Sequence, residues 1–210
     1  MAATLAVVRR LNPSLRGVDL GLVLWFVLCG SIHLLFEGYF MYNHHRMPQM
    51  TDFFGQLWKE YALSDSRYMA SDPFVLCMES WTAVPPPKSP KPKPPTQSQL
   101  MFLPPQIFWG PLSFLTALLI VRSSPYRHPV QALVSTGQFY GDVLYYTTSL
   151  FDDRYNGVRH YRPEPYYFWF YFVFITGPGL WFRLCLWSSI KATASAFRVQ
   201  QTVKGSKKIA

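Results

Sequence analysis

His33 and Glu37 stand four residues apart in the apolar run LGLVLWFVLCGSIHLLFEGYFMY, residues 20–42. On a helix that spacing puts both on one face, in a segment that meets the roughly 20 residues needed to cross a bilayer core. A charge at that depth costs roughly 3 kcal/mol or more unless it is paired or hydrated, so the two are expected to pair with each other. Two further polar pairs interrupt apolar surroundings: Glu79 and Thr82, three apart with Trp81 between them, and Gln138 and Asp142, four apart with Tyr140 and Tyr145 nearby. All are expected to face a shared interior rather than lipid. Burial disfavours an ionised carboxyl, so an acid in a greasy cavity can hold a proton to donate at neutral pH, and an imidazole beside a carboxylate can accept or relay one. Aromatic faces, those of Trp81 and Trp169 among them, stabilise a cation without trapping it as a nucleophile would. The chemistry that fits is proton transfer on a hydrocarbon alkene. Interhelix hydrogen bonding accounts equally well for Gln138 and Asp142, whereas two carboxylates and an imidazole are a costly way to join helices.

Rival chemistries find less support. Of the five histidines, His44 and His45 are adjacent in a connecting segment and His128 and His160 are isolated, short of the clusters a di-iron centre needs, so no metal is expected. Cys29, Cys77 and Cys185 sit in apolar stretches without CxxC spacing and encode neither a disulfide framework nor a zinc site. Without a glycine-rich phosphate loop, a Ser-His-Asp order or a dinucleotide fingerprint, no cofactor is expected either.

The elements that must hold these residues follow from composition. The 210 residues are 50% hydrophobic and 18% aromatic but only 15% charged, too apolar for a disordered chain and too poor in charge for a water-facing surface. The expected fold is all-α, a polytopic membrane helical bundle. Its spans are residues 20–42, 131–150 and 166–187, with 107–121 a shorter run that needs help to cross, about four in all. The 20 Lys and Arg against 11 acids, net +9, are read as cytoplasmic flanks rather than as a nucleic-acid groove. Ten of them (Arg9, Arg10, Arg16, Arg122, Arg127, Lys191, Arg198, Lys204, Lys207 and Lys208) fall on one side. Only Arg46, Lys59, Arg67, Arg154, Arg159 and Arg162 fall on the other. Both termini are therefore expected in the cytosol, with residues 43–72 and 151–165 on the far side. The final Lys207-Lys208-Ile209-Ala210 resembles a dilysine endoplasmic-reticulum retrieval signal, with a solvated basic tail as the plain alternative. The organisation is a basic leader (1–17), a membrane domain (18–190) and a basic tail (191–210).

Residues 84–106, VPPPKSPKPKPPTQSQLMFLPPQ, break the pattern, because a run of prolines cannot cross a membrane as a helix. Without them SDPFVLCMESWTA joins IFWGPLSFLTALLIV into one span-length apolar helix. Valine codons begin GT and a glutamine codon can be CAG, the ends of an unspliced intron, so the segment is read as a retained intron, with a genuine cytosolic loop as the alternative.

The blocks CGSIHLLFEGYF, QLWKEYALSDSRY, CMESWTA, WGPLSFL, GQFYGDVLYY and YYFWFYFVF, in that order, resemble the emopamil-binding protein family, the 3β-hydroxysteroid Δ8-Δ7 isomerases. The resemblance covers about residues 18–175 outside the proline-rich stretch. It implies a sterol substrate whose ring double bond moves from C8 to C7 by protonation at C9, a carbocation at C8 and loss of a proton from C7, with no redox cofactor. The family's catalytic residues fall on His33, Glu37, Glu79 and Thr82, with Glu79 expected as proton donor and the His33/Glu37 pair as orienting, relaying or accepting partner. Trp81, Tyr68, Gln138, Asp142, Tyr145, Trp169 and Thr176 are the expected substrate contacts. The resemblance further implies a homodimer in the endoplasmic-reticulum membrane. A non-catalytic binder of sterols or cationic amphiphiles from the same superfamily is the rival reading, since buried carboxylates attract amines whether or not they turn anything over.

Three departures from the family pattern stand out. Family members usually carry five helices, one of them ahead of the His/Glu span. The proline-rich stretch begins two residues after Thr82. Thr176 stands where the family has an asparagine, and Trp181 is two positions out of register with the family's cation-facing tryptophan, which a reading-frame error over residues 177–186 would explain.

Overall fold

The computed structural model describes residues 1–82, 108–175 and 179–209, with side chains undescribed at 80–82, 174–182 and 201–209. Among the described residues every regular element is helical, in agreement with the all-α expectation. The proline-rich stretch and Thr176 lie outside them.

The first apolar run folds as Gly17–Gln49, 33 residues without a break, and it is the one helical stretch among the described residues long and apolar enough to cross a membrane. It is not uniform. Helix α2 (Gly17–Ser31) opens into a π-helical turn at Ile32–Glu37, returns to α geometry in α3 (Gly38–Asn43) and tightens to 3₁₀ at His44–Gln49, where Pro48 removes a backbone donor. A wider π turn inside an α-helix is a costly local device that tends to mark function, and this one carries both His33 and Glu37. Leu28, Ile32, Leu34 and Leu35 point outward, so the helix shows an apolar flank instead of the polar one a soluble helix would show.

Helix α1 (Ala2–Leu11) precedes it, and α4 (Phe53–Tyr61) follows, begun by Asp52, whose carboxylate accepts from the Phe54 and Gly55 amides. Helix α5 (Pro73–Thr82) carries Glu79, and α6 (Trp109–Val121) is 13 residues long, the short apolar helix expected from sequence. Helix α7 (Arg127–Phe151) ends in a second π turn, Asp152–Asn156, closed by Gly157 at φ 67°, a left-handed conformation that favours glycine. The expected span 166–187 is not one uniform helix: Tyr166–Ile175 is π-helical, and α8 (Gly179–Ile209) runs on through the basic tail. Its aromatic sequence has no apolar period from which a change of helix type could be read.

Packing is closest between α2 and α6 and between α7 and α8, with α6 also against α7. Two glycines permit this. A Cβ at Gly30 would sit 2.7 Å from the Phe114 ring, and one at Gly137 would collide with the Trp109 indole. Polar ties fix the register: Arg127 forks onto the Asp19 carboxylate at 3.0 and 2.9 Å, and buried Gln131 donates to the Cys185 carbonyl at 2.8 Å.

Candidate functional site

The wide turn at Ile32–Glu37 brings His33 Nδ1 to 2.7 Å from Glu37 Oε2. The pairing expected from the four-residue spacing is therefore present, although on a π turn rather than a regular α-helix. From α7, the Gln138 side-chain nitrogen lies 3.0 Å from His33 Nε2, so both ring nitrogens are engaged. That contact is an interhelix hydrogen bond, one of the two readings left open for Gln138, and it reaches the His33–Glu37 pair. Asp142 sits one helical turn further along α7. Its Oδ2 and the Gln138 Oε1 are buried without a hydrogen-bonding partner among the described residues.

Helix α5 packs against both the π turn and α3, bringing Glu79 to this region. The Tyr68 hydroxyl donates to Glu79 Oε1 at 2.6 Å. Burial first and then the Glu79 charge hold the Tyr68 phenol well above its ordinary pKa, so it is a neutral donor. The helix places Trp81 and Thr82 on its last turn, but their side chains lie outside the described residues.

Tyr145 and Trp169 are placed differently from each other. Tyr145 is buried beside Arg67, whose guanidinium lies 5.1 Å from its ring centroid, and Phe172. Trp169 is 63% exposed, because in the π-helical Tyr166–Ile175 it is Phe172, 2% exposed, that turns inward. A surface hollow of about 290 Å³ lined by Arg67, Asp72, Phe74, Thr147, Thr148, Phe151 and Asp152 includes none of the His33, Glu37, Glu79 and Gln138 group. Among the described residues no group of His, Cys, Asp and Glu could hold a metal ion.

Sequence reasoning missed the supports. The Trp58 indole N–H, from α4, donates to the Phe36 carbonyl at 3.0 Å, and its ring stacks on Phe36 at 4.2 Å and 8°. It thus grips the turn that carries His33 and Glu37. In a chain this rich in aromatics, no pattern singles out one tryptophan. Asp65 and Arg67 are also missed: both are buried, joined by 2.6 and 2.9 Å bonds, with Arg67 Nη1 reaching Thr148 at 3.1 Å. Burial alone would pull the Arg67 guanidinium down, but hydrogen bonding and attraction to Asp65 outweigh it and hold it above its ordinary value. An Asp-x-Arg in a polar connection reads as solvated, although Asp65 also accepts from the Arg67 amide at 3.0 Å, a turn signal that sequence could have offered.

The connections 43–72 and 151–165 close over this end of the bundle. Ser66 N–H bonds to the His160 carbonyl at 2.9 Å and Arg162 N–H to the Leu63 carbonyl at 3.2 Å. Asp152 is held below the ordinary carboxylate range by its hydrogen bond to His160, and Asp153 by its hydrogen bond from Tyr161.

Residues 53–190 match the family model described as EXPERA (EXPanded EBP superfamily). Glu79, Gln138 and Asp142 lie inside the match, and His33 and Glu37 precede it. Over 150 residues the chain is 41% identical to a 3-beta-hydroxysteroid-Delta(8),Delta(7)-isomerase of Rattus norvegicus, covering 71% of this chain and 54% of that protein. Over 157 residues it is 40% identical to the Mus musculus protein of the same name, covering 74% and 56%. It is also 30% identical over 153 residues to an isomeliandiol synthase of Ailanthus altissima, covering 72% and 60%. The chain spans about half the length of the curated isomerases it matches most strongly.

Proposed function

The chain belongs to the EXPERA family, and from that membership we propose that it is a membrane sterol isomerase that moves the ring double bond from C8 to C7. The observation that supports the reading is the presence of two acid-bearing hydrogen-bonded groups, Gln138–His33–Glu37 and Tyr68–Glu79, on elements that pack against one another. The 41% and 40% identity to the rat and mouse proteins named as sterol isomerases, against 30% to the isomeliandiol synthase, supports the sterol substrate.

In this proposal Glu79, hydrogen-bonded by Tyr68, gives its proton to C9 of an 8-ene sterol, leaving the cation at C8. The His33/Glu37 pair receives the proton from C7 as the new double bond forms. One proton is gained by the sterol and one lost, so the reaction balances without a redox cofactor once Glu79 is reprotonated. Thr82 supports Glu79 or the ligand. Helices around 20–42, 73–121 with residues 84–106 removed, 131–150 and 166–187 are the proposed spans, with both ends cytosolic, an endoplasmic-reticulum location and Lys207 and Lys208 as retrieval signal. The proposed domain limits are those of the leader, membrane domain and tail given above. A homodimer is proposed from the resemblance alone.

Membranes from yeast lacking its own Δ8-Δ7 isomerase and expressing the chain with and without residues 84–106 test this. Product with a 7-ene ring is expected, and no product above background from protein shown to be in the membrane rejects the reading. Glu79→Gln is expected to lower turnover about 10²- to 10⁴-fold while sterol binding persists; wild-type rates would remove Glu79 from the donor role. The buried Oδ2 of Asp142, an acceptor with no donor among the described residues, favours a second reading, a binder of cationic amphiphiles. Amine binding in membranes that make no 7-ene product would select it.

A further inference from the structure

His33 has no free nitrogen. Nδ1 faces Glu37 Oε2 at 2.7 Å and Nε2 faces the Gln138 side-chain nitrogen at 3.0 Å. A carboxylate can only accept, which places a hydrogen on Nδ1, and an amide NH₂ can only donate, which requires a lone pair on Nε2. We propose that Gln138 is a positioning residue that locks His33 as the neutral Nδ1–H tautomer, making the imidazole a fixed donor to Glu37 and leaving the Glu37 carboxyl as the group that meets the substrate.

The surroundings hold this arrangement from both sides. Gln138 is only 8% exposed, its Oε1 finds no hydrogen-bonding partner among the described residues, and its amide is held at the nitrogen end by His33, with the Cys29 thiol beside it. The residue before it, Gly137, packs directly on the Trp109 indole, a contact any side chain would break, so α7 is fixed in height and rotation where Gln138 projects. On the other side Trp58 holds the Phe36 carbonyl one residue before Glu37. For His33 to become an imidazolium, its Nε2–H would need an acceptor, and Gln138 could supply one only by turning its amide over.

The catalytic part of this proposal rests on the isomerase reading; the tautomer does not, and the test separates them. The full chain with isotope-labelled histidine in lipid nanodiscs is followed by nitrogen NMR, the His33 signals being those lost in His33→Gln. At neutral pH the wild type is expected to show a protonated Nδ1 and an unprotonated Nε2. Gln138→Glu, which puts an acceptor opposite Nε2, is expected to protonate it, and Gln138→Leu to give mixed tautomers. A protonated wild-type Nε2, or a Gln138→Glu protein with the wild-type pattern, overturns the proposal whether or not the chain proves to be an isomerase. With an 8-ene sterol, Gln138→Leu is expected to lower kcat about 10- to 100-fold while KM stays within about twofold. Unchanged kcat in a variant with mixed tautomers overturns the positioning role, and if Gln138→Leu does not fold, the wild-type and Gln138→Glu spectra decide alone.

Discussion

The molecule has two cores of different chemistry. One, between α1, α2, α6, α7 and α8, is mainly aliphatic: Val8, Leu22, Val23, Ile120, Val121 and Val134 around Phe26, with Trp25 and Trp109 packed against its edge. The other, toward the connections 43–72 and 151–165, is built of Phe40, Trp58, Tyr68, Tyr145 and Phe172. The π turn carrying His33 and Glu37 lies where the chain passes from one to the other, between Gly30 and Phe40. An aliphatic core can do no more than fill space, whereas Trp and Tyr bring an apolar body with a hydrogen-bonding tip. Trp58 uses that tip on the Phe36 carbonyl, Tyr68 on Glu79 and Tyr146 on the Phe172 carbonyl at 2.6 Å. The aromatic core thus supplies hydrogen-bonding tips that the aliphatic side chains of the other core lack.

Substitutions can break this division. Arg67→Ala leaves the Asp65 carboxylate buried and unpaired, and is expected to cost about 3–5 kcal/mol in the unfolding of detergent-solubilised protein; a cost near zero would mean that the ion pair does not brace the aromatic core. Ile120→Ala, at a fully buried aliphatic position, is expected to cost about 3 kcal/mol yet leave turnover per folded molecule unchanged. Trp58→Phe keeps a ring on Phe36 but removes the N–H, so it should cost only about 1 kcal/mol of stability and still lower kcat. If Ile120→Ala harms turnover more than Trp58→Phe does, the two cores are not functionally distinct. The smallest effect is on pH. Asp152 is held below its ordinary value by His160, so its contribution is present above the ordinary carboxylate pKa and is lost as pH falls through the lowered one. Below about pH 4 the Ser66 and Arg162 amides should therefore exchange faster with solvent while those of α2 and α6 do not, and His160→Ala should weaken that acid step.

The helical class, the first long apolar helix and the His33–Glu37 pair were legible because each is local: a run of apolar residues, or two side chains four apart. The π turn was not, since its widening changes no residue type and follows from packing against Trp58 and α5. Gln138 was visible as a polar intrusion, but its partner His33 is 105 residues away and no spacing rule reaches that far. The exposure of Trp169 was hidden for the opposite reason. In YYFWFYFVF nearly every position is aromatic, so the sequence holds no contrast from which an inward face could be read, and Phe172 takes the buried place.

The pairing of Leu63 and Ser66 with Arg162 and His160 also has a consequence for how the protein is made. Ser66 and His160 are separated by 94 residues, so the ribosome must deliver most of the polypeptide before the earlier strand of this closure meets the later one. Until then the Asp65–Arg67 pair can reach Thr148 and the Tyr145 ring but lacks the backbone closure from His160 and Arg162. Assembly of the acid-bearing end is thus a late event in biogenesis, and chains halted before residue 162 would present it open.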